Sequence, residues 1–98
     1  LDRHQVDAVI APSDLWAVRL IQRLKARGVA VPEEVAVTGY DNLALATVIE
    51  PSLTTIDQDH SAYAVAALDL ILRSDPVTPP LKNRTRIIAP RLIVRASS

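Results

Sequence analysis

The stretch "VAVTGYDN", residues 35–42, decides the fold. Its first five residues are short and mostly apolar, with β-branched side chains, the pattern of a strand covered on both faces. It then runs directly into Asp41 and Asn42. In an open parallel sheet, ligands sit beyond the carboxyl ends of the strands. A core strand that ends on a carboxylate therefore raises the expectation of a crevice.

Working outward, "AVIA" at 8–11 precedes Pro12 and reads as another buried strand. Ser13 or Asp14 then caps a helix. Ala17, Leu20, Ile21 and Leu24 recur at helical spacing, so one stripe faces a core. The helix runs to about Arg27, and Gly28 supplies a left-handed stop. Residues 29–34 form a turn. Residues 43–49 suit a helical turn ended near Pro51, and "LTTI" at 53–56 a short strand. A second helix is expected from about Asp59 to Arg73. A polar, proline-containing loop follows over 74–84. "RIIAPRLIVR" at 86–95 reads as two extended pieces interrupted by Pro90.

This order predicts an α/β fold built on a parallel sheet. If the first two strands run parallel, Ser13 and Asp14 share a rim with Asp41 and Asn42. The same residues also have plain roles: Asp and Asn form turns, and Ser-Asp before an apolar stripe caps a helix.

Composition narrows the function classes. The chain has 98 residues, the size of one small domain, and 49% are hydrophobic, more than so short a chain easily hides. It contains no methionine, which reads as an internal or C-terminal piece of a longer protein. Cysteine is absent, so neither a disulfide framework nor a thiolate metal site is expected. His4 and His60 lack ligand spacing. Formal net charge is zero, which argues against this segment itself gripping nucleic acid. No apolar run approaches the ~20 residues of a membrane span. Trp16, Tyr40 and Tyr63 are the aromatic residues.

"DAVIAPSDLWAVRLIQRLKARGVAVPEEVAVTGYDN", with "PSLTTIDQD" and the closing "APRLIVRAS", resembles the C-terminal portion of the effector-binding region of lactose/galactose-repressor (LacI/GalR) family regulators. The resemblance covers nearly the whole chain. It implies a periplasmic-binding-protein-like (type I) lobe in a cytoplasmic protein, with no cofactor. It implies a small sugar-like or purine-like effector, a homodimer or larger self-association, and operator DNA contacted through an N-terminal helix-turn-helix outside this sequence. Residues 1–56 and from about 88 would belong to the C-terminal lobe, and 57–87 to the N-terminal lobe.

By position in the family, Asp41 corresponds to a cleft carboxylate, an acceptor-only group that takes two ligand donors. Ser13 falls where many members place an asparagine that touches ligand. Gln58 matches a hinge or cleft polar position. His60 falls where some members stack an aromatic, or it is simply exposed at a helix start. Asp14 is expected to fix the helix start, and Tyr40 to pack. The implied dimer surface holds Trp16, Val18 and Gln22 on the outer face of the first helix, with Leu45, Val48 and Ile49. Trp16 could instead complete the core. The second helix is apolar nearly all round, which implies burial on most sides under cover expected from chain outside this sequence, so that by itself this chain would leave it uncovered.

An uptake-type periplasmic sugar-binding protein shares the same fold logic. An enzyme is disfavoured: no acidic pair ends the first strand, no Gly-rich phosphate loop exists, and no Ser-His-Asp set is laid out. In isolation the chain is expected to self-associate and to bind no effector.

Overall fold

The computed structural model describes residues 5–73 and 85–98. His4 and the loop expected at 74–84 lie outside them. The elements are β1 (Ala8–Ile10), α1 (Asp14–Ala26), β2 (Ala36–Thr38), α2 (Leu45–Val48), β3 (Thr55–Asp57), α3 (His60–Arg73) and β4 (Arg91–Ile93). The chain divides into two compact units: residues 1–57 with 92–98, and residues 58–91.

In the first unit β1 and β2 run parallel, with Ala8 opposite Ala36, Val9 opposite Val37 and Ile10 opposite Thr38. The ladder continues past the formal end of β2. Thr38 bridges Thr54 in parallel, and the amides of Gly39 and Asp41 donate to Thr54 O and Ile56 O, each at 2.9 Å. α1 lays Ala17, Ile21 and Leu24 on this layer, where they meet Ala11, Val35, Val37, Ala46 and Leu53. Leu20, named with that stripe, is partly buried against the same cluster.

Both ends of α1 are set by local chemistry. At the start, Ser13 is extended and its Oγ accepts from the Trp16 amide at 3.4 Å. At the end, Gly28 takes φ 77. Its amide donates to Lys25 O at 3.0 Å and the next amide, Val29, to Leu24 O at 2.9 Å. This pair of bonds satisfies carbonyls the helix would leave open.

The C-terminal tail completes the layer. Val37 N donates to Ser97 O at 2.9 Å, and Ser97 Oγ donates back to Val37 O at 2.5 Å. The same Oγ accepts from Thr54 N at 2.9 Å, and Ser97 N donates to Ser52 O at 2.8 Å. Ser97, fully buried, thus fills the place beside β2 just before β3 reaches it. Residues 60 positions apart in sequence close this edge.

Several local expectations change. β1 is largely exposed, with Ile10 at 84%, because among the described residues nothing covers its outer face. Of the two extended pieces expected over 86–95, Arg91–Ile93 forms a strand, β4, beginning directly after Pro90, and it pairs with β3. In the second unit α3 leaves Tyr63, Val65, Leu68, Ile71 and Leu72 uncovered, as expected for this chain by itself.

The Ser97 hydroxyl accepts from the buried Thr54 amide, so its removal carries the penalty of an unsatisfied group, about 1–3 kcal/mol. Ser97→Ala is expected to lower the urea midpoint accordingly with an unchanged slope. An unchanged midpoint would mean that the Ser97 hydroxyl does not hold the tail to the layer.

Candidate functional site

The candidate site is the rim where β1 and β2 end. Because the two strands are parallel and in register, the loops that follow them emerge side by side. The Ala11 amide donates to Thr38 O at 2.8 Å, and the Asp14 amide to Tyr40 O at 3.0 Å. Ser13 and Asp41 are therefore brought to one rim, each half-buried.

Beneath them lies Asp14, fully buried. It is the first residue of α1; Ser13, not Asp14, caps the helix. One Asp14 carboxylate oxygen accepts from the Thr55 hydroxyl at 2.6 Å, and the other from the Leu43 amide at 2.7 Å. Its position in the first helical turn also places it at the positive end of the α1 dipole. Asp14 thus ties the start of α1 to the loop after β2 and to β3.

Gly39 makes this arrangement possible. A Cβ there would overlap Asp14 Oδ1 and lie 2.9 Å from Leu53 Cδ2 and 3.1 Å from Asp14 Cα. Only a residue without a side chain lets β2 pass this close to the carboxylate.

The rim backbone is unusual. Asp41 has φ 113 and Asn42 φ 53, both in the region that disfavours residues with side chains. Asn42 is well held. Its amide donates to Thr55 Oγ1 at 3.2 Å, its Nδ2 to Asp57 Oδ2 at 3.2 Å, and its Oδ1 accepts from Arg95 Nη2 at 2.8 Å. Arg95 Nη1 also donates to Leu53 O at 2.9 Å. Tyr40, expected to pack, is partly exposed beside the rim.

Gln58 and His60 belong to the second unit. Gln58 is half-buried; His60 is exposed and opens α3. Asp59 precedes it with φ 56, and its carboxylate accepts from the Ala62 amide at 3.0 Å, capping the helix.

On the outer face of α1, Trp16 is 63% exposed, so it does not complete the core. It lines a shallow hollow of about 390 Å³ with Arg19, Leu20, Gln22 and Arg23. Val48 is exposed and Leu45 half-buried. Val18 and Ile49, grouped with this face from the sequence, rest partly against the core instead.

Local sequence patterns do not reveal Arg95 and Thr55 as partners of the rim, nor Ser97 as the partner of Val37 and Thr54. Arg95 lies 53 positions from Asn42, and no spacing rule links them.

Gly39→Ala is expected to cost about 1–3 kcal/mol, as overpacking of a tight core does. Chemical denaturation reads this directly, and wild-type stability would exclude the close approach of β2 to Asp14.

The whole chain, residues 1–98, matches the family described as periplasmic binding protein-like domain. It is 33% identical over 99 residues to the HTH-type transcriptional repressor PurR of Glaesserella parasuis serovar 5 (strain SH0165), covering 92% of this chain and 28% of that protein. It is 34% identical over 92 residues to the ribose operon repressor of Escherichia coli (strain K12), covering 93% and 27%. Its fold matches the crystal structure of a LacI family transcriptional regulator from Arthrobacter sp. FB24 in complex with lactose. There the TM-score is 0.89 and the identity 32%, over 100% of this chain and 38% of that one. The chain therefore spans well under half the length of these relatives. It belongs to the LacI/GalR family of transcriptional regulators, within the periplasmic-binding-protein-like effector-binding domain.

Proposed function

We propose that this chain is the effector-sensing and dimerising segment of a bacterial transcriptional regulator, and that a small sugar-like or nucleobase-like effector binds at the Ser13–Asp41 rim. The observation that carries the reading is the built tip: a half-buried carboxylate at the end of β2, in a strained conformation, on a loop pinned from below by Asp14. Strain of this kind persists only where surrounding structure over-determines it, and it clusters at ligand sites.

The chemistry fits polyhydroxylated or N–H-bearing ligands. The Asp41 carboxylate accepts two donors from one small molecule. Ser13 Oγ accepts from Trp16 N, and its O–H can still donate. By position in the family, Gln58 and His60 are proposed as further effector contacts. The division into units supports assigning 1–56 and 88–98 to the C-terminal lobe and 57–87 to the N-terminal lobe. The effector acts by binding one state of the regulator more tightly than another, so its differential affinity is the energy that moves operator affinity. Operator DNA is contacted elsewhere in the regulator; the curated relatives are repressors, and no catalytic role is assigned.

The outer face of α1 is proposed as the dimer surface, with Trp16 as its anchor beside Gln22 and, on α2, Val48. A large exposed aromatic next to a hollow is the usual anchor of such a patch.

Two measurements test these assignments. In the intact regulator, Asp41→Ala is expected to weaken binding of whichever of ribose, lactose, adenine or guanine the wild type takes up. Loss of charge-assisted hydrogen bonds worth about 1.5–3 kcal/mol corresponds to roughly 10- to 150-fold. Unchanged calorimetric affinity removes Asp41 from the site. Separately, Trp16→Glu is expected to convert dimer to monomer in sedimentation velocity, and a persistent dimer removes α1 from the interface.

A further inference from the structure

Asn42 sits at a topological junction. Asp57, which accepts from its Nδ2, is the last residue before the chain enters the second unit. Arg95, which donates to its Oδ1, lies three residues after the chain has returned at Leu92. One side-chain amide thus joins both crossing segments, within the first unit, immediately next to Asp41. Few residue types can do this. An amide offers an acceptor to a cationic donor and a donor to a carboxylate at the same time. Asn is also among the few residues with a side chain that tolerate φ 53.

The junction grips the ligand loop directly. The amides of Asp41, Asn42 and Leu43 donate in turn to Ile56 O, Thr55 Oγ1 and Asp14 Oδ2, and Tyr40 O accepts from Asp14 N. All four consecutive residues 40–43 are held. Any displacement of residues 55–57 or of the segment at 95 must therefore be felt at Asp41.

We propose that Asn42 is a positioning residue that couples the effector carboxylate Asp41 to both chain crossings, with Arg95 and Asp57 as its two clamps. The proposal rests on Asp41 being the effector carboxylate. Through this junction, movement at the crossings and the placement of Asp41 become one event. Binding at the rim then reports to the rest of the regulator, and strain in the crossings reports back to the rim.

The test uses the pairing logic of the amide. Asn42→Asp keeps an acceptor for Arg95 but sets a second carboxylate against Asp57. Asp57→Asn leaves Asn42 Nδ2 only a neutral amide oxygen, a weaker acceptor than the carboxylate. Combined as Asn42→Asp/Asp57→Asn, the two restore one donor and one acceptor with exchanged positions. In the intact regulator, Asn42→Asp is expected to weaken binding of the probe the wild type takes from ribose, lactose, adenine and guanine by about tenfold, and Asp57→Asn to weaken it by a smaller factor. The double variant is expected to return close to wild-type affinity. Leu24→Ala, a core truncation near the far end of α1, does not touch the junction and is expected to lower stability while leaving affinity in place. Affinity loss that tracks stability across all four variants would make Asn42 merely structural and overturn the proposal.

Hydrogen exchange of the Asp41 and Leu43 amides, measured without any probe, gives an independent reading. Relative to the core amides of α1, exchange at Asp41 and Leu43 should quicken in each single variant and recover in the double, whereas Leu24→Ala quickens the protected amides together; unchanged relative rates in the single variants overturn the proposal. If Asp41→Ala abolishes binding but Asn42→Asp does not weaken it, the junction falls and the site stands. If Asp41→Ala leaves binding intact, the site reading falls, and with it the role of Asn42 as a positioner of an effector group.

Discussion

The buried carboxylate of Asp14 is the constraint on which the rim depends. A buried acceptor must be satisfied or it destabilises the fold, and Asp14 is satisfied by the Thr55 hydroxyl and the Leu43 amide. Those donors come from β3 and from the loop after β2, while Asp14 itself begins α1. Three segments therefore meet at one side chain. The Asp14 amide adds a further tie by donating to Tyr40 O. Gly39 is the steric consequence of the same contact, since β2 passes within a methyl's width of the carboxylate.

This brace accounts for how a strained loop can persist. Positive φ at two consecutive non-glycine residues costs of order 1–3 kcal/mol each unless the surroundings fix them. Here the backbone of 40–43 finds a partner at every residue, and the Asn42 side chain finds two more. The cost is met by contacts from three separate stretches of chain. None of these contacts uses the Ser13 hydroxyl proton, and the frame turns on the buried Asp14 and Thr55, with Asn42, Asp57 and Arg95 half-buried around them. Frame and recognition surface are thus chemically distinct although they alternate along the sequence: Ser13 beside Asp14, Asp41 beside Asn42.

Much of the frame was legible in the residues. The stripe Ala17, Ile21, Leu24 and the stop at Gly28 follow from helical period and backbone freedom, which are local. The parallel run of β1 and β2 follows from the intervening helix, because a strand–helix–strand connection returns in the same direction. Their common rim, with Ser13 and Asp41 on it, then follows geometrically. Burial was less legible. The apolar "AVIA" stretch predicts a covered strand, yet Ile10 lies open, because cover is supplied by neighbours that the residue itself does not encode. The same holds for α3, whose apolar side chains say that something should pack there but not what. Trp16 illustrates the reverse case, since helical position alone allowed either core or surface.

What no local pattern could reveal is the long-range polar bonding. Thr55 reads as a β-former, Arg95 as a charged residue ending a strand, and Ser97 as part of a polar tail. Each becomes a structural residue only when segments 41 to 60 positions apart are brought together. Asp14 was read as a helix-start residue for the right local reason, its place before an apolar stripe. Its larger role arises because the helix start it marks is pressed against β2 and β3. The general point is physical. Apolar periodicity reports which face turns inward and is written in neighbouring residues, whereas a hydrogen bond reports which two particular atoms meet. A fold can keep the first while exchanging the second, so a rim of this kind can hold its shape while the groups displayed on it differ. In this chain the placement of Asp41 is a property of the whole layer, and its chemistry is a property of one residue.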